Sequence, residues 1–295
     1  MRRNQSSERF PNSAQLFRFC LKVMEANSSN KKVHDQELGN ILGFNPSDTS
    51  HWKRGKKAVK SIYALEKLSK ELKVSLDLVQ ELSSGTIEID EAWFEFNETT
   101  QEVNALEKLT KRQQKKWEEV IPTIENAARM LLDEAEITTA PVFLPELLSV
   151  IPSITLTQVE MTDRLCRSFR TEPGHYTIRY LKSEMRPHIR ASIAREVAKI
   201  ALFTERERLN LGERDEDLEV LETNMLANAL LVPSKVLFTE TQRISPRNNA
   251  EKLLADVFWV PRFVVRSRLT QLFQIEPSQM GLSTGTENAT SQTLN

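Results

Sequence analysis

Glycine is scarce in this chain, at eight residues among 295, and apolar residues recur over long stretches at the i, i+3, i+4 spacing of a helix face. Few positions therefore interrupt helical propensity, and the pattern predicts a mainly α fold with few strands. The length allows two modest domains, each with a core of its own. A hydrophobic content of 39% and a charged content of 27% describe a soluble globular chain, and the net charge of -1 conceals local asymmetry. No apolar run approaches the roughly 18–20 residues that a membrane span needs, and the Arg-rich start lacks the apolar stretch of a signal peptide. The expected location is the cytoplasm, with no membrane partner. Cys20 and Cys166 stand far apart without a C-x-x-C spacing, which predicts buried, inert thiols.

Along the chain, "SAQLFRFCLKVMEA" places Leu16, Phe19, Cys20 and Val23 on one face of a first helix, with Ser13 as its N-cap. Short helices follow in "DQELGNILGF", "SDTSHWKRG", "SIYALEKLSKEL" and "SLDLVQEL". These five define a first domain over residues 13–85. The weak alternation of "EAWFEFN" fits a short strand or a packed connector, and residues 101–136 carry a charged helical pattern that Pro122 should kink or split. Residues 86–139 thus read as a charged helical linker. Beyond them, "LPELLSVIP" reads as a helix, "SITLTQVEM" and "HYTIRY" as strands, and 186–204, 215–232 and 247–273 as helices. Gly174 serves a turn. Phe258 and Trp259 read as core or interface aromatics, and Arg262, Arg266 and Arg268 beside them are the cations that a nucleic-acid-reading element would need if one exists there. Residues 140–275 form the second domain, and the small polar residues of 276–295 predict a disordered tail.

In the first domain, Leu38, Ile41 and Leu42 form the inner face of a supporting helix. Gly43 makes a turn, Phe44 packs beneath it, and Thr49 and Trp52 point inward from the next helix. Ser47, Asp48 and His51 are then turned outward, where they can reach base edges. The run "WKRGKKAVK" supplies Lys53, Arg54, Lys56, Lys57 and Lys60 for DNA phosphates, a contact that gives affinity without sequence preference. About 50 residues from His34 onward resemble the helix-turn-helix of the XRE family, the group that includes the lambdoid phage repressors, with Gly55 at the family's helix-ending glycine. Two positions depart from that pattern. Asp35 stands where the family often has a phosphate-contacting Gln, and Asp48 puts a carboxylate on the recognition helix.

In the second domain, "IRASIAREVAKIALF" presents Arg195, Glu196 and Lys199 with the spacing of an H-E-x-x-H zinc helix, but with cations at both histidine positions. The later "ETNMLANALLVP" resembles the E-A-N-x-F-A-x-x-L-L-M-P signature of the ImmA/IrrE metallopeptidase family. "GHYTIRYLKSEMRPHIRASIAREVAKI" is similar to that family's strand, loop and metal helix, and "LLADVFWVPRFVVRSRLTQLFQI" to its C-terminal segment. The resemblance implies an α+β zincin-like domain with a small sheet, in which the acidic ligand falls on Glu222. Protonated guanidinium and ammonium groups offer no lone pair to zinc, and Glu196 without a metal has no activated water to work with. The resemblance therefore implies a pseudoenzyme with no cofactor, no metal and no catalytic residue. Arg195, Lys199 and Glu222 could replace the metal by an ion-pair cluster. Alternatively both cations face solvent and Glu222 pairs elsewhere, or residual metal binds through Glu196, Glu222 or a nearby carboxylate.

Together these features predict a sequence-specific DNA-binding transcriptional regulator of bacterial or phage type, a repressor, binding double-stranded DNA as a homodimer. Its inactive peptidase-like domain would serve dimerisation and reception of a small-molecule or protein effector. The competing readings are a regulatory metallopeptidase with a rearranged site and an antitoxin-like or adaptor module that binds protein.

Overall fold

The structure, a computed structural model, describes residues 9–28, 32–151, 153–161, 164–213, 215–244 and 249–272. It is mainly helical with one three-stranded sheet, and it divides into two compact units, Met1–Glu98 and Thr99–Asn295. The expected tail of 276–295 lies outside the described residues.

The first unit holds α1 (Pro11–Asn27), α2 (Asp35–Ile41), α3 (Pro46–Lys53), α4 (Ile62–Leu72) and α5 (Leu76–Ser84), followed by the start of α6 (Ile89–Lys108). Local chemistry sets their ends. The Asn45 side chain accepts from the Asp48 amide at 2.9 Å with Pro46 at the first helical position, and Ser61 and Ser75 cap α4 and α5 in the same way. Gly85 ends α5 in the left-handed region at φ 80°. The periodicity of α1 holds, since Leu16, Phe19, Cys20 and Val23 are all fully buried. Ser13 is not its N-cap. Phe10 occupies that place before Pro11, and Ser13 lies buried inside the helix, where its Oγ accepts from the Val59 amide at 3.0 Å. The Ser83 hydroxyl donates to the Val59 carbonyl at 2.9 Å, so two serines satisfy both backbone groups of one buried residue.

Trp52 is the centre of this core. Its ring meets Phe17 and Phe44 edge-on, with centroids 5.0 and 6.0 Å away, and its Nε1 donates to the Ser13 carbonyl at 2.8 Å. Gly39 lets α2 approach α3 closely, because a Cβ there would lie 2.0 Å from the Thr49 hydroxyl. Residues 91–97, expected as a strand or connector, are helical within α6: Ala92 and Phe96 are buried one turn apart in the same core. Apolar spacing of four outweighed the weak alternation.

In the second unit the helical stretch is interrupted at Leu109 and Thr110 rather than at Pro122. Thr110 caps α7 (Lys111–Glu134) reciprocally with Gln113, whereas Pro122 is carried inside that helix. The buried row Ile121, Ile124, Ala128 and Leu132 holds α7 in place despite the hydrogen bond that the proline forgoes. After α8 (Leu144–Ser149) come β1 (Ile154–Val159), β2 (Cys166–Glu172) and β3 (His175–Leu181), in the order β1-β3-β2. β1 pairs in parallel with β3, and β2 pairs antiparallel to it across the turn at Gly174. β2 was not expected. It pairs Cys166 with Tyr180 and Ser168 with Ile178, and apart from Cys166 it is largely exposed.

The remaining elements are α9 (Pro187–Glu205), α10 (Glu216–Leu231), α11 (Ser234–Arg243), α12 (Ala250–Phe258) and α13 (Arg262–Leu272). The single helix expected over 247–273 is broken where Trp259 turns left-handed at φ 53° before Pro261, and α11 was not expected at all. α10 is buried almost all round, packed by α7, α9 and α13. Two arginines are buried in this unit. Arg190 stacks on Trp259 and donates to the carbonyls of Val142, Phe258 and Trp259, and burial brings its pKa down to about 10. Arg268, one of the three cations considered for a nucleic-acid-reading element after Trp259, is fully buried and paired with Glu125. Among the described residues no helix is long and apolar enough to cross a membrane.

Candidate nucleic-acid interface and the motif of the ninth helix

The first candidate site is the outer surface of α3. Thr49 and Trp52 are buried, which fixes the rotation of the helix and leaves Ser47 and His51 exposed and Asp48 half-exposed on its far side. The Thr49 hydroxyl donates to the Asn45 carbonyl at 3.0 Å, so the inward face is satisfied internally. At the end of α3, Gly55 turns left-handed at φ 62°, and the amides of Lys56 and Lys57 donate back to the His51 carbonyl at 2.8 and 3.2 Å. The basic run is thereby folded back beside the helix that carries Ser47, Asp48 and His51.

Two of its five cations are already engaged. Lys53 pairs with Asp35, and Lys57 pairs with Asp48 at 2.8 Å while lying 4.2 Å from the Phe44 ring centroid. Asp35 and Asp48 are thus each held in an ion pair with a lysine of the basic run. Arg54, Lys56 and Lys60 are exposed and have no carboxylate partner among the described residues. Exposed pairs of this kind are worth about 0–1 kcal/mol, so a phosphate can compete for Lys53 and Lys57.

The second candidate is α9. Glu196 faces the sheet and accepts a hydrogen bond from the Ser168 hydroxyl on β2. Arg195 is half-buried, with Nη2 donating to Gln101 at 3.2 Å, and burial lowers its pKa. Lys199 is exposed. Glu222 meets neither of them: its carboxylate is held by Arg206, from Nη1 at 2.7 Å and Nη2 at 3.3 Å. The Arg195–Lys199–Glu222 cluster is therefore corrected to an Arg206–Glu222 pair. Sequence reasoning missed Arg206 because it sits in the turn after α9, where no motif position marks it. Burial raises the Glu222 pKa, an effect partly offset by hydrogen bonding and charge from Arg206. Cys20 and Cys166 are buried free thiols, and burial raises the pKa of both. Among the described residues no three His, Cys, Asp or Glu side chains are grouped to hold a metal ion.

No family model and no curated protein matches the chain.

The Arg206 pair gives α9 a direct test. Placing histidine at both positions, Arg195→His with Lys199→His, is expected to yield no stoichiometric zinc at neutral pH, because the carboxylate of Glu222 is turned toward a guanidinium. Metal content of the purified variant checks this. One zinc per chain would show that Glu222 leaves Arg206 readily.

Proposed function

We propose that the chain is a sequence-specific DNA-binding transcriptional regulator, a repressor acting as a homodimer. Its second unit is a catalytically inactive, peptidase-like domain that serves dimerisation and effector reception. The observation that carries this reading is the sidedness of α3. Burial of Thr49 and Trp52 turns Ser47, Asp48 and His51 outward, beside Arg54, Lys56 and Lys60, three cations with no carboxylate partner among the described residues. That arrangement supplies the two parts a major-groove reader needs, side chains for base edges and cations for phosphates. The resemblance of residues 34–82 to XRE helix-turn-helix readers supports the same conclusion. Support for the second unit is the ImmA/IrrE-like order of motifs combined with cations at both metal positions, Arg195 and Lys199. Two heads on a palindrome would multiply the limited specificity of one short reader.

The test is recovery of fragmented genomic DNA by the purified protein at about 150 mM salt, where non-specific binding weakens, beside a variant with Lys53, Arg54, Lys56 and Lys57 neutralised. The wild type is expected to enrich a few palindromic sites that the variant does not. On one such site, neutralising Arg54, Lys56 and Lys60 should flatten the slope of log affinity against log salt by about 3. Ser47→Ala with His51→Ala should instead relax sequence preference with little change in slope. Equal recovery of random DNA by both proteins would sink the reading.

A further inference from the structure

The second unit contains a cavity of about 550 Å³ between the C-terminal half of α7, the segment 137–140, the end of α10 and α11. That volume is in the range of small-molecule sites. Its apolar wall is made by Ala128, Leu132, Ile137, Ala229, Val236 and Val257.

The polar lining is uneven in charge. Three carboxylates and three cations border the cavity, and half of these six are held in ion pairs. Glu125 is held by Arg268 Nη2 at 2.7 Å from both of its oxygens, and Glu240 is held by Arg243 at 2.6 Å. Arg129 donates only to the neutral Asn126 side chain, at 2.6 Å, and Lys235 has no carboxylate partner among the described residues. Against these two cations stands one carboxylate, Asp133, exposed on α7. The first turn of α11 adds to the imbalance. Ser234, Lys235 and Val236 line the cavity, the helix has no acidic residue in that turn, and Pro233 before it provides no side-chain cap.

An apolar wall, two cations without an ion pair among the described residues and helix amides without a side-chain cap describe one ligand chemistry. We propose that this cavity binds a small organic anion, a carboxylate or phosphate monoester on an apolar body, with its charged group between Arg129 and Lys235. This deepens the effector-reception part of the proposed function and is independent of the DNA-reading part.

The experiment is calorimetric titration of the full chain, without DNA, using octanoate, benzoate and octyl phosphate as anionic probes, and octylamine and 1-octanol as isosteric controls. Ligands of this size bind at up to about 5 mM at ordinary efficiency. At least one anion is expected to bind at one site per chain, with both controls at least tenfold weaker. Arg129→Gln with Lys235→Gln should weaken that anion at least tenfold. Both side chains are exposed, so the variant keeps its fold, which its unfolding midpoint verifies. Binding of none of the anions, equal binding of octylamine, or equal affinity in the variant would each overturn the proposal. None of these results bears on whether the first unit reads DNA.

Discussion

Replacing Glu125 by alanine is expected to destabilise the second unit by about 3–5 kcal/mol, the cost of leaving one buried charge without its partner. Arg268 is fully buried, and its Nη2 donates to both oxygens of Glu125 at 2.7 Å. Its Nε donates to the Val232 carbonyl at 2.9 Å, while Nη1 has no partner among the described residues. The guanidinium thus depends on a single carboxylate, and the two Nη1 protons go unused even with that carboxylate present. Removing both charges should cost much less than removing one. Glu125→Leu with Arg268→Met is expected to fall within about 1–2 kcal/mol of the wild type, because the desolvation of two ions is relieved and only the Val232 carbonyl is left unpaired. Urea unfolding of the single and double variants checks the pair of values. A single variant within 1 kcal/mol of wild type would mean that water or another group reaches Arg268 in its place.

That pair also marks a limit of reading structure from sequence. Arg190 and Arg268 are written with the same letter as the exposed Arg54, and nothing in their neighbours announces that both are 2% exposed or less. Their partners lie far along the chain, the carbonyls of Val142 and Phe258 for one and Glu125 for the other. Only packing reveals such contacts. β2 escaped for a related reason. "CRSFRTE" is an edge strand with little to bury, so it lacks the apolar alternation by which β3 was found. α11 carries its three apolar residues, Val236, Leu237 and Phe238, in one consecutive run and buries only Leu237, leaving no stripe at helical spacing to see.

The elements that were legible are those whose causes are local. α1, α4 and α5 combine an apolar stripe with their neighbours' caps and turns, and α3 declares its inward face through Thr49 and Trp52. The outward positions Ser47, Asp48 and His51 follow from that face by helix geometry alone. The Arg195-Glu196-x-x-Lys199 pattern of α9 was legible as a motif but not as a site. Position-by-position transfer put Glu222 opposite Arg195 and Lys199, whereas the turn after α9 brings Arg206 to it first. A motif fixes which residues share a face; it does not fix which long side chain arrives from a turn.

Trp52→Ala should cost the first unit about 3–5 kcal/mol, the range for deleting a buried aromatic ring. Three separate losses combine there. The ring is fully buried, it makes edge contacts with Phe17 from α1 and Phe44 from the turn before α3, and its Nε1 satisfies the buried Ser13 carbonyl. α3 would then lose the contact that sets its rotation, so the DNA binding proposed for Ser47, Asp48 and His51 should fail together with stability. Trp52→Phe separates the two contributions. It keeps an aromatic body between Phe17 and Phe44 but removes the donor, and should cost about 1–3 kcal/mol. Hydrogen exchange of the α1–α5 amides measures both values within the unit concerned. If phenylalanine is as damaging as alanine, the Ser13 hydrogen bond and not the ring packing orients α3. If it is harmless, packing alone does so, and the outward face of α3 is fixed by shape.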